Sequence, residues 1–178
     1  MERPSLGSIA QCTEVPPIGG DTLFADSYAA LAGLPAGLRE RVDQLHGVND
    51  YRIFIGNESP DVVESIKHRI PFGVTHPLVR THPETGIQAL YMNGGFLRPE
   101  SLHNPTTGEE LAPDESREIT RTLLAQHGRP EYQCRFQWEQ GSVAFWDNRA
   151  AQHYAASDYF PHRRSLRRVT VSGDRPVR

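Results

Sequence analysis

Glycine and proline punctuate this chain from end to end, with 15 Gly and 14 Pro spread over 178 residues rather than gathered in a linker. Proline removes a backbone donor and glycine weakens any regular element it interrupts, so the chain has room for short strands and helices but not for a helical bundle. One globular unit of largely β or mixed architecture is expected, with no second domain. The charge balance excludes one class of partner. With 19 Lys+Arg against 22 Asp+Glu and no basic stripe interleaved with aromatics, nucleic acid is not an expected ligand. Cys12 and Cys134 lie far apart without a C-x-x-C pattern, which fits reduced thiols. The segment MERPSLGSIAQ has no apolar signal core, and no run approaches membrane-spanning length. A cytoplasmic location with no membrane partner is the expectation.

Local signals place the elements. Ser5 to Glu14 reads as a strand, and Pro16-Pro17 with Gly19-Gly20 turn the chain before a second strand at Thr22-Leu23-Phe24. Asp26 is positioned to cap a short helix over Ser27 to Leu31, and Pro35 opens another whose apolar stripe is Leu38, Val42 and Leu45. Tyr51 to Val74 is irregular and reads as a long loop or lid, with a turn or two of helix from Pro60-Asp61. His76 to His82 and Ile87 to Asn93 read as a hairpin around Pro83-Glu84-Thr85-Gly86. Pro113-Asp114 starts a helix carrying Ile119, Leu123 and Leu124, and Gly128 ends it. Tyr132, Cys134, Phe136 and Trp138 alternate with polar residues and predict a buried hairpin with Val143 to Trp146. Arg164 to Val171 is the last strand. Its period of two puts Arg164, Leu166, Arg168 and Thr170 on one face and Arg163 and Arg167 on the other.

The chemistry concentrates in WDNRAAQHYAASDYFPHRRSLRRVT, residues 146 to 170. Non-haem Fe(II) oxygenases hold iron with two imidazoles and a carboxylate on one face, leaving positions open for cosubstrate and O2. His153 is the candidate ligand here. Taken alone, a histidine is usually a surface or hydrogen-bonded structural residue, paired arginines are usually solvated, Thr22 reads as a turn threonine, and Phe96 as plain core. His76 and His82 lie an even interval apart, but each precedes a proline and suits hydrogen bonding better than ligation. Asp147 offers a carboxylate near His153, yet reads as part of a structural turn.

Three segments carry a resemblance: GGDTLF at 19–24, HPLVRTHPETGIQALYMNGGF at 76–96, and WDNRAAQHYAASDYFPHRRSLRRVTVSGDRP at 146–176. Over essentially its whole length the chain resembles the taurine/α-ketoglutarate dioxygenase (TauD/TfdA) family. That resemblance implies a mainly β double-stranded β-helix, a cupin-like jelly roll with flanking helices. It also implies Fe(II) as cofactor and 2-oxoglutarate as cosubstrate. His153 is then the distal iron ligand, while Arg164 and Thr22 bind the far carboxylate of 2-oxoglutarate. Arg168 receives an anionic substrate group such as a sulfonate or sulfate, and Phe96 forms an aromatic wall beside it. A guanidinium grips a carboxylate bidentately, which suits Arg164 to that role.

In the family a His-x-Asp/Glu motif precedes the Gly-Gly-Asp-Thr turn and supplies the other two iron ligands. The eighteen residues before Gly19 contain no histidine. The expectation is therefore that residues 1–178 form the C-terminal portion of a single dioxygenase domain, incomplete at the N-terminus and lacking the first two ligands. Such a chain should expose sheet edges and apolar surface that favour self-association. The leading expectation is a dioxygenase using O2 on a small anion such as taurine, releasing sulfite, succinate and CO2. A noncatalytic jelly-roll remnant, acting as a binding or assembly subunit, is the alternative.

Overall fold

The computed structural model describes residues 1–50, 59–69 and 73–178, with the backbone alone at 67–69. Two three-stranded antiparallel sheets face each other across a small core. Strand β1 (Gly7–Glu14) is central to the first, flanked by β10 (Ser165–Val171) and β8 (Val143–Asp147). Strand β2 (Thr22–Asp26) is central to the second, flanked by β7 (Gln133–Phe136) and β9 (Ala151–Ala155). The register sets the inner faces. Ser8 lies opposite Trp146 and Thr170, and Ala10 opposite Ala144 and Arg168, while Phe24 lies opposite both Cys134 and His153. Ala10, Cys12 and Trp138 are buried between the sheets with Phe136, Ala144, Trp146 and Leu166 packed against them.

A larger apolar cluster lies beside the sandwich. Helices α1 (Ser27–Ala32), α2 (Ala36–Val42) and α4 (Pro113–His127) contribute Ala30, Leu31, Val42, Ile119 and Leu123, which meet Val79 and Leu90 of the hairpin β5 (Val79–Thr81) and β6 (Gln88–Leu90). A further strand pair, β3 (His46–Asn49) with β4 (Val74–Pro77), runs next to it. Caps behave as their residue types dictate: the Asp26 carboxylate accepts from Tyr28 N and Ala29 N, and α4 starts at Pro113.

Four local readings change. Residues 76–82 are not one strand, because the pairing breaks at Leu78 and passes from β4 to β5. Gln133–Phe136 and Val143–Asp147 are not a hairpin: β7 pairs with β2, β8 pairs with β1, and the turn between them crosses from one sheet to the other. Strands β3 and β9 are additional elements. Of the Tyr51–Val74 loop, 51–58 and 70–72 lie outside the described residues, and Pro60–Arg69 is helix α3.

Candidate active site

Thr22 ends the turn that follows β1, and its hydroxyl is where two donors converge. Trp138 Nε1 donates to Thr22 Oγ1 at 3.0 Å and Arg164 Nη2 donates to the same oxygen at 3.3 Å. A hydroxyl has two acceptor lone pairs and one hydrogen, so both lone pairs are engaged and the hydrogen is left to donate elsewhere. Arg164 is tethered independently, with Nε donating to the Gly20 carbonyl at 2.6 Å, and its guanidinium carbon lies 5.9 Å from the centre of the Tyr159 ring. Such an arrangement offers an anion a guanidinium and a hydroxyl donor side by side.

His153 projects from β9 on the same face as Phe24 and Thr22. Its ring centroid is 5.0 Å from that of Trp146 and 6.4 Å from that of Phe24, so rings from both sheets meet here. Partial burial, and secondarily the charge of Arg168, lower the imidazole pKa and favour the neutral form that a metal ligand requires. No hydrogen bond engages its ring nitrogens among the described residues. His153 lines a cavity of about 670 Å³ together with Arg168, Phe96, Ser8, Asn93 and Thr170. Arg168 and Thr170 are exposed and face this space, while Arg163 and Arg167 point to solvent on the opposite side. Phe96 is 44% exposed, which makes it a wall of the cavity rather than core.

The expected residues thus gather as two neighbouring groups. His153, Arg168 and Phe96 share the cavity. Thr22 and Arg164 do not line it, and sit at the adjoining end of the inner faces, two residues from Phe24 and four from Arg168 respectively. The sequence reading missed Trp138 as the second donor to Thr22. Its alternation with Phe136 was visible, but the pairing of β7 with β2 that brings Trp138 beside Thr22 was not.

His76, His82 and Asp147, the alternatives weighed from sequence, are otherwise engaged, as is Asp50 of the cavity lining. His76 Nε2 donates to the Met1 carbonyl at 3.0 Å, and Asp50 accepts from Arg98 Nε at 2.6 Å, although both line the cavity. His82 Nε2 donates to Asp147 Oδ2 at 3.0 Å. Asp147 is also gripped by Arg149, through Nε at 2.9 Å and Nη2 at 2.6 Å. Burial opposes ionisation of Asp147, but the hydrogen bonds from Arg149 and His82 outweigh it and lower the carboxyl pKa to about 2. Arg149, itself buried, reaches Glu84 as well, and so ties the β8–β9 turn to the β5–β6 hairpin. Asp147 is therefore engaged within the β8–β9 turn by His82 and Arg149. Among the described residues no group of three or more His, Cys, Asp or Glu side chains is placed to hold a metal. One open imidazole is not an iron site, and the described donor set does not fit the full ligand requirement.

The family described as "Taurine catabolism dioxygenase TauD, TfdA family" matches residues 1–170. An α-ketoglutarate-dependent sulfate ester dioxygenase of Pseudomonas putida is 38% identical over 184 residues, covering 99% of this chain and 58% of that protein. An α-ketoglutarate-dependent sulfonate dioxygenase of Saccharomyces cerevisiae is 35% identical, covering 98% of this chain and 40% of its own length. Among solved structures, a taurine dioxygenase from Burkholderia xenovorans superposes with a TM-score of 0.79 at 38% identity, over 99% of this chain and 55% of that one. The structure of AAD-2 in complex with Mn(II) and N-oxalylglycine gives 0.80 at 27% identity, over 98% and 66%. The chain spans about half the length of these relatives, from 40% to 66%.

Proposed function

The chain belongs to the TauD/TfdA dioxygenase family, a mainly β jelly-roll family, and from that premise we propose that it carries the cosubstrate and substrate anchors of an Fe(II)/2-oxoglutarate dioxygenase acting on a small sulfonate or sulfate ester, with taurine the first candidate. The observation that carries this reading is the pairing of Arg164 with Thr22, next to the cavity that Arg168, four residues after Arg164, shares with His153. Arg164 and the free hydroxyl hydrogen of Thr22 bind the far carboxylate of 2-oxoglutarate. Arg168 takes the substrate's anionic group, Phe96 packs against its carbon skeleton, and His153 would be one of the ligands to iron. In the overall reaction 2-oxoglutarate and O2 give succinate and CO2, and the second oxygen atom hydroxylates the carbon beside the sulfur-bearing group, which leaves as sulfite or sulfate. Iron, when bound, would supply the oxidative chemistry. The chain's own residues bind, orient and neutralise charge.

A second reading has one observation in its favour: a single open imidazole among the described residues suits a noncatalytic anion-binding subunit of the same fold. Succinate production separates the two. Purified protein is incubated with Fe(II), 2-oxoglutarate, O2 and a panel of alkyl sulfates and sulfonates. Substrate-stimulated succinate that disappears in Arg168→Gln supports the enzyme, and anion binding without turnover supports the subunit. Anaerobic Fe(II) with 2-oxoglutarate is expected to give little visible charge-transfer absorption in this chain. A strong band would mean that the protein assembles a fuller iron site than the described residues show.

A further inference from the structure

Gly20 is held on both sides of its own residue by the connection between β9 and β10. Its N–H donates to Asp158 Oδ1 at 2.8 Å, and its carbonyl accepts from Arg164 Nε at 2.6 Å. The fit is close. Gly19 and Gly20 have φ of +75° and +76°, and a Cβ would come within 2.7 Å of Asp158 Oδ1 at the first and 2.9 Å of Arg164 Cδ at the second. Positive φ and contact with a neighbouring chain segment both require glycine here. The Ala156 N–H, donating to the Asp21 carbonyl at 3.0 Å, fastens the same two segments one step further along.

We propose that Asp158 is a positioning residue for the cosubstrate anchor: by fixing the Gly20 peptide it presents the carbonyl that tethers Arg164 Nε, so that the guanidinium is aimed at Thr22 before the dicarboxylate arrives. This rests on the reading of Arg164 and Thr22 as the 2-oxoglutarate anchor. Asp158 is exposed on its outer side and no salt bridge holds it to Arg164 among the described residues, so it acts through the backbone rather than by pairing. The hydrogen bond from Gly20 keeps its carboxyl ionised to lower pH than usual. Its charge alone would have the opposite effect on binding, since a carboxylate near the anchor repels an incoming anion. Geometry and charge therefore predict different outcomes for two substitutions. Asp158→Asn removes the charge but keeps an oxygen that accepts from Gly20 N–H. Asp158→Ala removes both.

The test uses the full chain, 15N-labelled, titrated with succinate and with 2-oxoglutarate and followed at the Trp138 indole and Arg164 Nε signals. Wild type is expected to shift both signals saturably, and Arg164→Gln to abolish binding. Asp158→Ala should then weaken binding about tenfold, the scale of one positioning hydrogen bond, while Asp158→Asn stays within about twofold of wild type. Urea midpoints of the Asp158 variants should match wild type; if the alanine variant unfolds, Asp158→Leu, which also has no side-chain acceptor, carries the same comparison. Unchanged or tighter binding by Asp158→Ala, with Arg164→Gln still inactive, would overturn the positioning role and leave the anchor standing. No saturable shift in wild type, or binding by Arg164→Gln like wild type, would overturn the anchor and the positioning role with it.

Discussion

Thr22 shows how much one hydroxyl can organise when it is buried. It is 4% exposed and Trp138 is 7% exposed, so the indole N–H has no solvent to turn to if the oxygen is removed. Thr22→Val keeps the branched shape and deletes only that oxygen, leaving a buried donor unpaired at a cost of about 1–3 kcal/mol. Thr22→Ser keeps the oxygen and loses a methyl, costing about 1 kcal/mol. Urea denaturation of the two variants checks the order, and a valine variant as stable as the serine one would show that the Trp138 contact contributes nothing to stability. The same residue marks the limit of what could be read in advance. Thr22, Arg164 and His153 were legible because the resemblance lies in contiguous motifs around each. Trp138 was not, because its role depends on a partner 116 residues away in the other half of the chain.

At the scale of elements, helix α4 is docked to α1 through a buried histidine whose ring is held neutral. His127 Nε2 lies 3.1 Å from Ser27 Oγ, while Nδ1 is buried with no hydrogen-bond partner among the described residues. Burial lowers its pKa to about 4. A cation near a helix C-terminus gains about 0.3–1 kcal/mol from the dipole, too little to offset removal of a charged imidazole from water. The folded chain therefore binds fewer protons than the unfolded one between pH 4 and 6.5. Stability is complete above pH 6.5 and falls as pH drops through that window, by on the order of 3 kcal/mol in all. Urea titrations at pH 6.5 and pH 5 should show roughly 2 kcal/mol of this loss in wild type and much less in His127→Gln, which keeps a hydrogen-bonding group without titrating. Equal slopes in the two proteins would place the pH sensitivity elsewhere. α4 itself was readable from Pro113 at its start and Gly128 after its end, signals that act within a turn of the chain. The supposed hairpin from Tyr132 to Trp146 was not, because alternation specifies a strand and its two faces but never its neighbour. β9 escaped for a different reason: Ala151, Gln152 and Ala155 lack β-branching, and the strand exists because β2 pairs with it.

Across the whole molecule the two faces of the β10–β1–β8 sheet differ in how they are covered. The inner face holds Ala10, Cys12 and Leu166 against Trp138. On the outer face Phe145 and Val169 both lie opposite Ile9, and they are 65% and 62% exposed; Val143, two residues before Phe145 on the same strand face, is 59% exposed. Val169 and Phe145 flank Ile9 across the sheet and Val143 adjoins Phe145 along β8, so these side chains form a patch rather than scattered surface residues. Covering roughly 300 Å² of such surface is worth on the order of 7 kcal/mol at about 25 cal/mol per Å², most of which association entropy consumes, so the contact should be weak and concentration-dependent. Sedimentation velocity across a range of concentrations should therefore show the isolated chain associating. Phe145→Lys places a charge at the centre of the patch and should shift the population to monomer. It should leave succinate binding at Arg164 unchanged, because odd-numbered positions of β8 point away from the inner face that carries Trp146. If Phe145→Lys sediments as wild type does at every concentration, this face is not what brings copies together, and the open strand edges of β7 and β9 become the surfaces to alter next.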